Sequence, residues 1–208
     1  MKPSTILLVL AALIAPLGAA QKSPPAIEVP YKGLRYSMLS RGGVTVMIAP
    51  LDRAILEYST AQVWVSNGSK GVVRVNPQAF SMSVQVAGQS EPRTMAGTAE
   101  GVVLSEILKR ARSHDVLELV RAYETTLFGF ANERSLNYYQ QRKQQALAGA
   151  GRMRAAATAS AIILPEKVLR PGEVVDGTVF FRTEGKHLRV ASLSARLAGA
   201  VFEFPQTQ

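Results

Sequence analysis

The chain has no cysteine. That absence excludes disulfides, thiol catalysis, thiolate metal sites and lipid attachment at an N-terminal cysteine. Histidine is almost as scarce, with only His114 and His187. Zinc sites take several nitrogen or sulfur ligands at set spacings, and neither histidine has such neighbours. His187 falls in a Gly185-Lys186-His187 turn, and His114 stands beside Asp115, a residue suited to cap a helix. Nucleophile signatures are missing too. There is no Gly-x-Ser-x-Gly elbow, and Gly68-Ser69-Lys70-Gly71 lacks the full pattern of a phosphate-binding loop. Glu106 and Glu118 are spaced to pair with Lys109 or Arg110 and with Arg121 on helix surfaces, the ordinary role of such acids. No catalytic residue, cofactor or metal ligand is assigned, and a non-enzymatic protein is expected.

Long apolar runs are also lacking, with one exception at the start. Lys2 precedes an unbroken apolar run from Ile6 to Ile14, and Pro16, Gly18, Ala19 and Ala20 follow. A positive start, a short greasy run and small residues make a secretory signal peptide, residues 1–20, with cleavage expected between Ala20 and Gln21. The run is about half the roughly 20 residues that a spanning helix needs. The sequence therefore predicts an exported protein, periplasmic or extracellular, that is not a lipoprotein. With no cysteine to staple it, its fold must rest on a hydrophobic core.

What is present is strand patterning. Residues 21–42 contain Pro24, Pro25 and Pro30 and read as a flexible lead-in. Gly43 to Ile48 reads as a strand ended by Pro50. Tyr58 to Asn67 alternates, with Ala61, Val63 and Val65 on one face and Gln62, Trp64 and Ser66 on the other. Trp64, the sole tryptophan, is expected to pack beneath a loop or the inserted helix. Ala79 to Val86 is the cleanest period-two run, and Gly88 to Gly101 reads as a polar loop. From about Val102 the period turns helical, with Val103, Leu104, Ile107 and Leu108 on one stripe. Strands return at Ser160 to Leu164, Val174 to Arg182, Leu188 to Leu197 and Val201 to Phe204. The predicted class is mainly β with an α insertion. It is an immunoglobulin-like antiparallel β-sandwich interrupted by a helical excursion, one domain over 43–208 with the insertion at about 100–159.

Certain strand ends carry a resemblance. Val63, Val65, Asn67, Pro77 and Phe80, with Leu169, Pro171, Gly172, Gly177, Val179 and Phe181, resemble the pattern of exported bacterial immunoglobulin-like sandwiches of the mycobacterial immunoprotective extracellular protein type. The resemblance covers roughly 44–86 and 162–204. It implies a scaffold and assigns no catalytic residue.

Charge supplies the remaining functional clue. The chain carries 24 lysines and arginines against 15 acids, a net charge of +9. Arg134, Arg142, Lys143, Arg152 and Arg154 are interleaved with Tyr138 and Tyr139, and no acid occurs between Glu133 and Glu166. Such a basic helix suits an anionic surface. The expected activity is binding or structural support in the bacterial cell envelope, with an unknown envelope protein or anionic polymer as partner. Peripheral contact with an anionic membrane or cell-wall polymer through 134–154 is the first alternative. An envelope-polymer hydrolase is the second. Export argues against a nucleic-acid partner.

Overall fold

A computed structural model of the chain describes residues 25–31, 34–85, 91–110, 162–183 and 189–206, with backbone alone at 52–53. Among these the architecture is mainly β, with antiparallel sheets and one α-helix. The strands are β1 (Ile27–Tyr31), β2 (Leu34–Arg41), β3 (Val44–Ile55), β4 (Tyr58–Asn67), β5 (Val73–Val75), β6 (Phe80–Gln85) and β7 (Arg93–Ala96). Helix α1 (Glu100–Lys109) follows, then β8 (Lys167–Leu169), β9 (Val174–Arg182), β10 (Arg189–Leu197) and β11 (Ala200–Pro205). One sheet has five strands in the order β1-β2-β3-β4-β9, and a second has four in the order β11-β10-β6-β7. β5 and β8 form a small third pair.

Alternation explains how the sheets stack. Val46, Val63, Val179 and Phe181 leave one face of the five-stranded sheet, and Phe80, Met82, Leu193, Phe202 and Phe204 leave one face of the other. They share one core, which makes the pair a sandwich. The strands after the excursion complete sheets begun before it: β9 pairs with β4, and β10 with β6. Chain ends of strands are tied at a corner by Asn67, which is fully buried. Its amide donates to the carbonyls of Gly71 and Leu169, and its side-chain oxygen accepts from the backbone and hydroxyl of Ser69. The backbone N–H of Gly172 donates to the Asn67 carbonyl, and Gly172 has φ +81°. The Asn67, Leu169 and Gly172 pattern noted in the sequence is thus a strand-end clasp.

A second, smaller core lies on the opposite face of the five-stranded sheet. Ile55, Tyr58 and Phe180 from the sheet meet Val103 and Ile107 of α1 and Ile162 and Ile163 from the returning chain. The two residues of the predicted helical stripe that bury fully are Val103 and Ile107. The returning chain wraps the β9 edge. Leu164 donates its N–H to the Thr178 carbonyl and enters the intersheet core. It fits because position 177 is glycine: a Cβ there would meet the Leu164 Cα at 2.5 Å.

Several expectations need correction. Residues 21–42 were expected as a flexible lead-in, yet β1 and β2 occupy most of 27–41. Pro30 is compatible with β1 because β1 is an edge strand, where a missing N–H costs little. Pro50 does not end β3. The ladder with β2 stops at Ile48, so Pro50 lies beyond it and still pairs with Ala61 of β4. The polar loop at 88–101 contains edge strand β7, three of whose four residues are exposed. Of the expected strand at 160–164, residues 162–164 are described, and among these Ile163 bridges a strand, to Thr178. Glu106 pairs with neither Lys109 nor Arg110. Its carboxylate reaches Arg182 at 3.0 Å and accepts from the Tyr58 hydroxyl at 2.7 Å.

Candidate functional site

The outer face of the five-stranded sheet is organised in rungs. Ile27, Met38, Met47, Trp64 and Asp176 stand opposite one another in turn across all five strands. The neighbouring rung holds Val29, Tyr36, Gln62 and Thr178. Alternate positions of a strand face the same way, so these side chains share the face away from the intersheet core. Aromatic and apolar residues thus populate a face that a polar surface sheet would give to charges.

A cleft of about 260 Å³ opens here, lined by Tyr31, Tyr36, Met47, Gln62, Trp64 and Asp176 among others. Tyr31 and Tyr36 meet with ring centroids 6.4 Å apart and planes tilted by 58°. Tyr31 is 44% exposed and forms the rim, whereas Tyr36 is buried. Burial pushes the Tyr36 hydroxyl well above its ordinary range, and the charge of Asp176 adds to the effect. Tyr36 therefore keeps its proton. Asp176 is 5% exposed, so it is a carboxylate set into an apolar wall. Gln62 accepts a hydrogen bond from the Thr178 hydroxyl at 2.8 Å through its side-chain oxygen, which fixes the amide. Among the described residues lining the cleft there is one carboxylate and no base.

The same face carries a second acid and tyrosine assembly two rungs further on. Tyr58 stands opposite Arg182. The Arg182 guanidinium sits 5.9 Å from the Tyr58 ring centroid and pairs with Glu106 and Glu57. Arg110 reaches Glu57 at 3.3 Å, which ties the end of α1 to the β3–β4 turn. Burial, then the hydrogen bond to Glu106, push the Tyr58 hydroxyl up to about 12. This assembly is full: its side chains satisfy one another, and it holds α1 down.

The expected contact residues Arg134, Tyr138, Tyr139, Arg142, Lys143, Arg152 and Arg154 lie outside the described residues, as do His114 and His187. Sequence reasoning placed Trp64 under a loop or helix. It lines the cleft. Tyr31, Tyr36 and Asp176 carry no site motif in the sequence. The available signal was Asp176 itself, an acid inside the apolar run Val174 to Phe181. Among the described residues no cluster of three or more His, Asp or Glu is arranged to hold a metal, and no helix is long and apolar enough to cross a membrane. No family model, no curated protein and no solved structure matches the chain, so the chemistry of the cleft carries the functional argument.

Proposed function

We propose that this chain is an exported, non-enzymatic binding domain of the bacterial cell envelope, and that its ligand enters the outer-face cleft. The carrying observation is the cleft's wall: aromatic rings from β1, β2 and β4 around one buried carboxylate, held on the rigid strands of a sandwich. Small-ligand sites have this composition, mostly apolar with a few placed polar groups. The cleft is slightly smaller than the roughly 300 Å³ at which such sites usually begin, which favours a small ligand or the head group of a larger one. Among the described residues its wall holds one carboxylate, whereas glycoside hydrolysis uses two. Export rests on the N-terminal pattern of residues 1–20.

A fragment screen read by protein-observed NMR tests the binding site. Binders are expected to shift the Trp64 indole resonance, and Met47→Arg, which fills the cleft, is expected to abolish those shifts. Binders that shift only residues elsewhere contradict the reading. Recovery of a protein beginning at Gln21 from an expressing bacterium tests export, and an intact leader contradicts it.

The acid-free basic stretch at 134–154 favours a second reading, contact with anionic lipid or polymer. Binding to anionic vesicles that falls on Arg142→Glu with Lys143→Glu supports it. Unchanged or absent binding ends it.

A further inference from the structure

We propose that the cleft binds a neutral, flat ring bearing a carbonyl oxygen; this rests on the reading of the cleft as a ligand site. Two hydrogen-bond donors in its wall carry the argument. Tyr36 and Gln62 belong to one rung of the sheet, line the cleft, and are only 4% and 5% exposed. Among the described residues, neither the Tyr36 hydroxyl nor the Gln62 side-chain nitrogen has a hydrogen-bond partner. Tyr36 meets Tyr31 through its ring, and Gln62 meets Thr178 through its oxygen. The described side-chain atoms that are both unpartnered and sealed from solvent belong to Arg41 and Thr60. The Tyr36 hydroxyl and the Gln62 nitrogen are therefore still reachable, and the cleft is the opening that both residues line. Burial keeps the Tyr36 hydroxyl protonated, so it can donate. An amide nitrogen can only donate. A buried donor without an acceptor is costly, and an acceptor oxygen on a ligand removes that cost.

The wall also selects on charge. Among the described residues that line the cleft there is no lysine, arginine or histidine, so an anion would be buried there without a counter-charge. A cation fares no better, because the one acid of that wall, Asp176, already interacts within the chain. A neutral molecule loses least on entering. The shape of its body follows from the rings of Tyr31, Tyr36 and Trp64, with Met47 beside them. Such rings pack favourably against a flat ring, offset or edge-on. A volume of about 260 Å³ suits a single ring rather than an extended polymer. A sugar would bury several hydroxyls against mostly carbon and lose their bonds to water.

The test compares acetophenone with α-methylstyrene, which keeps the shape and carries a methylene group in place of the carbonyl oxygen. Each is titrated into the full chain and followed by protein-observed NMR at the Trp64 indole and the Gln62 side-chain amide. Both are expected to shift Trp64, the chain's only tryptophan. Only acetophenone is expected to move the Gln62 amide protons downfield, as a new hydrogen bond does. Tyr36→Phe and Gln62→Leu are each expected to weaken acetophenone by about two- to tenfold relative to α-methylstyrene, the net worth of one hydrogen bond. Gln62→Leu also breaks the bond from Thr178. Should it not fold, Tyr36→Phe carries the test, because it keeps the ring and removes a hydroxyl without a partner among the described residues. Benzoate and phenyltrimethylammonium are expected to bind at least about tenfold more weakly than acetophenone. Either of them binding as tightly overturns the neutral assignment. A fall in relative ketone affinity in either variant supports the carbonyl assignment, and no fall in any variant that folds overturns it. No shift of Trp64 by any of these probes overturns it as well. Fragment-screen binders that still shift Trp64 then leave the ligand site standing, and the site itself falls only if those binders shift residues elsewhere.

Discussion

Two regions of one sheet face use the same chemistry to different ends. At one end, Tyr58 and Arg182 of the sheet meet Glu106 of α1. At the other, Tyr31, Tyr36, Trp64 and Asp176 surround a cleft. The rungs between them are continuous: Tyr58 opposite Arg182, Thr60 opposite Phe180, Gln62 opposite Thr178, Trp64 opposite Asp176. The first end places the acid on the helix and the cation on the strand, so the charges meet as the helix docks. The second places its acid on the strand, among rings. The difference separates a polar cluster that holds a helix to the sheet from one that lines a cleft.

The comparison is open to breakage by substitution. The largest expected effect is at Phe180, fully buried beneath α1 and edge-on to Tyr58 with centroids 5.9 Å apart. Phe180→Ala should cost about 3–5 kcal/mol by urea unfolding, the usual range for a large core truncation. Met47→Ala in the partly exposed cleft should cost only about 1 kcal/mol. Equal costs would mean that the cleft is ordinary core.

Alkali gives the next effect. The Tyr58 hydroxyl titrates near 12 in the fold against an ordinary 10. Above pH 10 the unfolded chain loses this proton while the folded chain keeps it. Stability is therefore full below pH 10 and is lost as pH rises toward 12, by on the order of 2 kcal/mol. Tyr58→Phe should remove that part of the slope, measured by urea unfolding at several alkaline pH values. Tyr36 is shifted in the same direction, so some alkaline loss should survive in that variant.

A gain of about 1 kcal/mol is expected from Thr60→Val. The Thr60 hydroxyl is buried between the two regions without a hydrogen-bond partner, and valine replaces it with a methyl of similar shape. A loss instead would reveal a bond that the hydroxyl makes. The smallest effect is expected from Arg110→Ala, because its pair with Glu57 is half exposed: under about 1 kcal/mol, shrinking further with salt.

The open region was also the less legible one, for physical reasons. The sandwich core announced itself where alternation is strict, as in Phe80, Met82 and Val84, all fully buried in β6. The α1 stripe did so as well, through Val103 and Ile107. The Asn67 clasp was visible as turn residues at strand ends. The cleft was not, because it needs β1 and β2, and Pro24, Pro25 and Pro30 make the stretch that leads into them resemble a linker. Pro30 is harmless on an edge strand, and sequence does not say which strand is the edge. The cleft also needs registry. Trp64 and Asp176 lie 112 positions apart and become neighbours only when β9 returns beside β4. Alternation tells which face a residue takes on its own strand, not which residues from other strands join it there.

The most direct measurement is an NMR spectrum of the protein with a binder from the fragment screen, read for nuclear Overhauser contacts from the ligand protons. The account predicts contacts to the Trp64 indole and the Tyr36 ring, with none to Tyr58, whose ring already faces Arg182. Contacts confined to other residues, or none while the binder is in excess, would contradict it.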